Sequence, residues 1–85
     1  MFIFPSPNDG VFNVTYFNYQ GGSTTRTVTV HDSKGTQVYS AKFPVVGAYT
    51  ILNIDLQPAQ RGVYYVTVID VNGNKLAAGK VIIHW

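Results

Sequence analysis

Asp32 and Asp70 are the side chains with the strongest claim to chemistry. Each ends a Val-Thr-Val run by one intervening residue and stands three positions before a glycine. VTVHDSKG, from Val28, and VTVIDVNG, from Val66, agree at Val, Thr, Val, Asp and Gly, at an offset of 66 − 28 = 38 positions. Two carboxylates hydrolyse a bond only when a cleft holds them together and their surroundings split their pKa values. Aspartates at the ends of two separate strands have no reason to converge. Turn chemistry explains them more simply. An Asp accepts hydrogen bonds from backbone N–H groups two or three positions on, and Gly35 or Gly73 takes the positive φ that closes a hairpin. The repeat is then two β-hairpins built alike.

The remaining polar residues make weaker cases. DVNGN, from Asp70 to Asn74, starts like a calcium loop, but its glycine falls fourth and the chain contains no Glu to close such a loop. His31 and His84 lack an evident third ligand, so no metal is expected. His31 beside Asp32 is no dyad, because strand neighbours point to opposite faces. None of the serines Ser6, Ser23, Ser33 and Ser40 has the G-x-S-x-G context of a nucleophile. Asn13-Val14-Thr15 is a formal glycosylation sequon, relevant only in a eukaryotic secretory route. No catalytic residue and no cofactor are expected.

Composition narrows the classes further. The chain has 85 residues, enough for one small domain spanning 1–85, and no cysteine to staple it. Packing must therefore stabilise it, and the 46% hydrophobic content supplies the material. The net charge is +2, and Arg26, Lys34, Lys42, Arg61, Lys75 and Lys80 are scattered. A nucleic-acid footprint requires clustered bases, so no nucleic-acid partner is expected. No apolar run approaches the roughly 18 residues of a membrane helix.

The elements that must position these residues are short strands. Val, Ile, Thr and aromatic residues dominate, and no long run has helical periodicity. The pattern predicts strands over Phe2–Phe4, VFNVTYFNY, RTVTVHD, QVYSAKF, YTILNIDL, GVYYVTVID and KLAAGKVIIHW. Phe12, Val14 and Tyr16 should share one face, with Asn13, Thr15 and Phe17 on the other. Val28, Val30, Leu52, Ile54 and Leu56 should point inward, and Thr27, Thr29 and His31 outward. Such runs, with turn signals between them, predict an all-β, seven-stranded antiparallel immunoglobulin-like β-sandwich. Leu56 and Pro58 precede Tyr64 near the start of the sixth run, where a tyrosine corner would return its hydroxyl to upstream backbone.

Taken in order, the turns resemble a known family. FPSPNDGVFNV, VTVHDSKGTQVYSAKF and IDLQPAQRGVYYVTVIDVNGNKLAAGKVII are similar to the C-terminal sorting domain of the type IX secretion system over nearly the whole chain. Pro5 and Pro7 match its opening motif and Gly10 the glycine that follows. Asp32 and Gly35 match the central turn, repeated at Asp70 and Gly73. Leu56, Gly62 and Tyr64 match the late strand, and Lys80 the basic residue of the last strand. Ser6 departs from the family's usual Asn, and His84-Trp85 from its commonly basic end.

The resemblance implies a non-catalytic address label, the C-terminal domain of a longer secreted protein of a Gram-negative bacterium. Its cargo reaches the periplasm, an outer-membrane translocon recognises the folded domain, and a sortase-like protease removes it. The cargo is then secreted or held at the cell surface. Surface turns and the strand edge around KVIIH are the expected recognition features.

Two other readings share the sandwich. One is an immunoglobulin- or fibronectin-like accessory module that binds protein. The other is a carbohydrate-binding module using Tyr16, Phe17 or Tyr19, although opposite parity forbids exposing both Tyr16 and Phe17. Edge strands at both ends of the chain also predict an edge-paired dimer in isolation.

Overall fold

The computed structural model describes residues 1–18 and 23–84. Among them the chain forms seven strands and no helix: β1 (Phe2–Phe4), β2 (Val11–Phe17), β3 (Ser23–His31), β4 (Gln37–Val46), β5 (Tyr49–Asp55), β6 (Gly62–Ile69) and β7 (Lys75–Ile83). They build two sheets, β1-β2-β5 and β4-β3-β6-β7, with every strand pair antiparallel.

Alternation decides which side chains meet between the sheets. In the three-stranded sheet Phe12 lies opposite Ile54 and Val14 opposite Leu52. In the four-stranded sheet Val28 lies between Ala41 and Val68, and Val30 between Tyr39 and Val66. These inner faces close on a core that includes Phe43, Val45, Tyr64, Val81 and Ile83. Tyr16 and Phe43 join the two layers edge to face, with ring centroids 6.1 Å apart at 75°. Each fully buried Val, Ile or Phe contributes about 1.5–3 kcal/mol from leaving water.

The inward positions expected from the alternation are inward, with Leu52 and Leu56 only half-buried. Thr29 faces outward as expected but is nonetheless buried, because Ser40 and Thr67 flank it on the central strand of its sheet. Several boundaries differ from the expected ones. β3 begins earlier, at Ser23, and β4 continues through Pro44 to Val46. Pro44 is tolerated because β4 is an edge strand, where a missing N–H breaks no interior ladder. β5 stops at Asp55, leaving Leu56 to start the next connection. Tyr19 and Trp85, drawn into the expected strands, lie outside the described residues.

Between β1 and β2, strands of one sheet, the chain crosses to touch the other sheet and returns. β1 pairs with β2, but Asn8 forms a parallel bridge to Ile83 of β7 in the other sheet. The Asn8 N–H donates to the Ile82 carbonyl at 3.0 Å, and the His84 N–H donates to the Asn8 carbonyl at 2.7 Å. This crossing ties the first and last strands together.

Candidate functional site

The two aspartate turns are the same object built twice. Asp32 Oδ1 accepts from the N–H groups of Lys34 and Thr36, each at 2.9 Å. Asp70 Oδ1 accepts from Asn72 at 2.9 Å and Asn74 at 2.8 Å. The bonds therefore run two and four positions on; the three-position contact is backbone to backbone. Gly35 N–H donates to the Asp32 carbonyl and Gly73 N–H to the Asp70 carbonyl, at 3.0 and 3.1 Å. Both glycines have positive φ, 89° and 84°. The register of each hairpin shifts at the matching step, opposite Val30/His31 and Val68/Ile69, and leaves Val38 of β4 and Leu76 of β7 as the extra residues. Such a turn followed by a glycine bulge is a standard short hairpin connection.

The carboxylates do not converge. β3 and β6 run antiparallel, with His31 opposite Tyr65 and Thr27 opposite Ile69, so the two turns occupy opposite ends of the sheet. The Asp70 turn also acts on its own carboxyl. The Asn74 N–H above all, then the Asn74 side chain, the Asn72 N–H and the charge of Arg26, hold its carboxyl below the usual range against an opposing desolvation.

The Asp32 end gathers most of the residues singled out in the sequence. Gly10 opens β2, and its carbonyl accepts from Leu56 N–H at 2.8 Å. Gly10 has φ +111°, a backbone conformation that favours glycine, and a Cβ there would also press on the Gln57 side chain, 3.1 Å from its Cγ. Tyr64 is buried and its hydroxyl donates to the Gln60 carbonyl at 2.8 Å, which is the expected tyrosine corner. Asp32, Gly62 and Tyr64 line one depression at this end. Asp32, Tyr39, Asp55, Leu56, Pro58 and Tyr64 line a larger open one of about 450 Å³. Pro5 and Pro7 flank the same end through Asn8. Asp70 and Gly73 lie at the far end. Lys80 lies in mid-strand, exposed beside Tyr65.

Asn8 is the residue that the sequence reading missed. It is buried, its Nδ2 donates to the Pro5 carbonyl at 2.8 Å, and its Oδ1 accepts from Gly10 N–H at 2.8 Å. One side chain thus holds the whole PSPNDG turn while its backbone binds β7. The available signal was an Asn two positions before a glycine, the pattern of an Asx turn. Ser6, which replaces the family's usual Asn, still reaches β7: its Oγ accepts from Ile82 N–H at 3.4 Å.

Chemically this end is a surface of turns. Asp32 and Asp55 both face the larger depression, yet each already accepts backbone N–H bonds, Asp55 from Gln57 at 2.9 Å. Among the described residues no three His, Asp or Glu side chains gather as a metal site. His31 is level with Tyr65 and Lys80, whereas His84 lies four residues further along β7, about 13 Å by strand rise. Of the aromatics considered for sugar stacking, Tyr16 is buried in the core and Phe17 is exposed.

Fold and site together define a class: an all-β, two-sheet module whose distinctive residues build turns and strand ends. The chain belongs to the secretion system C-terminal sorting domain family, whose model matches residues 2–84. It is a C-terminal sorting signal of type IX secretion, a kind of domain that is in general non-catalytic and works with the type IX machinery. A protein that carries it is secreted or displayed at the cell surface. No curated protein and no solved structure matches the chain.

Proposed function

We propose that the chain is a non-catalytic, immunoglobulin-like sandwich that forms the C-terminal domain of a longer protein and is read in its folded state. An outer-membrane translocon of a Gram-negative cell docks on the Asp32 end after the cargo enters the periplasm, and a sortase-like protease then cuts upstream of the domain. The observation that carries this is convergence. Pro5, Pro7, Gly10, Asp32, Gly35, Leu56, Gly62 and Tyr64 are spread along the chain and meet at one end of the sandwich. Most of them shape backbone rather than expose reactive groups, so the partner reads a rigid relief of turns. The tyrosine corner at the start of β6 supports the immunoglobulin-like assignment. Lys80 supplies an exposed charge on the last strand, next to the same partner.

Deleting the last strand cannot test this, since Val81 and Ile83 belong to the core and their loss unfolds the domain. Point substitutions can. A periplasm-targeted fluorescent reporter carries residues 1–85 at its C-terminus in a host with the type IX machinery. Gln60→Arg and Lys80→Glu alter exposed side chains at the Asp32 end and on β7, and Asn72→Arg alters the far turn. The reading expects the first two reporters to stay in the periplasm and the third to reach the surface or medium. Equal delivery of all three, each shown folded, removes the Asp32 end as the docking surface.

A further inference from the structure

Four strands border the two sheets, and three of them are blocked against further pairing. β1 has only three residues. β7 has the Ser6–Asn8 segment along its Ile82–His84 end, and Lys75 and Lys80 elsewhere. β4 carries Lys42 and Pro44, and Pro44 has no N–H to offer. Charges, prolines, short strands and covering segments are the usual devices that protect an edge. β5, YTILNID, has none of them before its final Asp55. Its one strand neighbour among the described residues is β2.

Hydrogen-bond parity shows what β5 offers. Leu56 N–H donates to the Gly10 carbonyl and Asn18 N–H to the Ala48 carbonyl, both at 2.8 Å. In an antiparallel ladder hydrogen-bonded pairs recur every second residue. Even-numbered residues of β5 therefore turn their backbone groups toward β2. Tyr49, Ile51, Asn53 and Asp55 turn theirs to the open edge, and all four side chains are exposed.

We infer that β5 is a homodimerisation edge, pairing antiparallel with β5 of a second copy about a two-fold axis at Leu52. In that register Tyr49 meets the second copy's Asp55, and Ile51 its Asn53. Every outward residue enters a hydrogen-bonded pair, and the outer and inner faces of the strand stay aligned with those of the copy. The two Asp55 carboxylates lie at opposite ends of the ladder, so like charges are kept apart. The pairing is isologous, as a closed two-fold dimer requires. It joins two three-stranded sheets into one of six strands and brings the ladder, at Asp55, to the rim of the depression at the Asp32 end. β5, rather than either terminal strand, is then the dimer edge.

A ladder this short buries less than the roughly 1,200–2,000 Å² of a standard stable interface, so the dimer is concentration-dependent. Sedimentation equilibrium on the 85-residue chain, from about 10 μM to about 1 mM, tests it. The expected mass rises from 9.4 kDa toward twice that value. Over the same range, amide exchange slows at Tyr49, Ile51, Asn53 and Asp55 but not at Ala78 or Lys80 of β7. Ile51→Lys, at an exposed position, should stay monomeric throughout, and Ala78→Lys should dimerise like the parent. A parent chain monomeric at every concentration overturns the inference. So does slowed exchange at β7 in place of β5, a measurement that needs no variant to fold.

Discussion

Thr29 and Thr67 face each other across the central β3–β6 ladder, and they occupy the same place in the two copies of Val-Thr-Val. Around them the four-stranded sheet is a pair of like hairpins turned against one another. Thr29 pairs outward with Ser40 and Thr67 with Ala78, again 78 − 40 = 38 positions apart. The repeat therefore describes the sheet's internal symmetry, and the same symmetry sends Asp32 and Asp70 to opposite ends.

The Asp70 turn should give the domain an acid-sensitive component of stability. Its folded pKa is lowered, so the contribution is fully present above the unfolded value of about 3.9 and is lost as pH falls through the folded value. Asp70→Asn keeps an oxygen acceptor but cannot titrate. Urea unfolding from pH 7 to pH 2 should show parent and variant converging at the acid end, with the parent's advantage confined to higher pH. A constant gap between them contradicts the assignment.

Asn8→Ala should destabilise more than its position in a terminal turn suggests. It leaves the buried Gly10 N–H and the part-buried Pro5 carbonyl without their side-chain partner, at a cost of about 1–3 kcal/mol. Denaturant midpoints measure the loss. Faster amide exchange at His84 should accompany it, because the His84 N–H bonds to the Asn8 carbonyl.

Tyr64→Phe isolates the corner hydrogen bond, since the ring still fills its place in the core. The expected loss is about 0.5–1.5 kcal/mol, with an unchanged denaturant slope. A null effect would show that the hydroxyl to Gln60 is incidental.

Ile82 and Ile83 are adjacent yet should behave oppositely. Ile83 is 1% exposed and Ile82 41% exposed. Ile83→Ala should cost about 2–5 kcal/mol through cavity formation, whereas Ile82→Ala should fall within about 0.5 kcal/mol of the parent. Thermal or chemical unfolding of the two variants, side by side, checks the facing of the last strand.

Local chemistry was legible in the amino-acid sequence. Alternation about Val28, Val30, Phe12 and Val14 announced strands and their inner faces, because strand periodicity is a property of neighbouring residues. Asp-x-x-Gly announced both hairpins, because such a turn closes within five residues, from Asp32 to Thr36. Tyr64 announced its corner for the same reason, its acceptor lying four positions away. The ordered set of turns was also enough to indicate the family.

Long-range pairing is set by contacts between residues far apart in the chain. Asn8 belongs with Ile83 because the β1–β2 connection crosses to the other sheet, and nothing within the PSPNDG turn specifies that partner. Thr29 is buried although it faces outward, since burial on a central strand depends on Ser40 and Thr67 beside it. The strand around KVIIH borders its sheet as expected, but Ser6 and Asn8 cover its far end, whereas among the described residues β5 pairs only with β2. Strands, turns and inner faces were readable from the amino-acid order, since they rest on contacts a few residues apart. Strand order, edge protection and the gathering of Gly10, Asp32 and Tyr64 at one end come from contacts between distant residues, which only the assembled sheets establish.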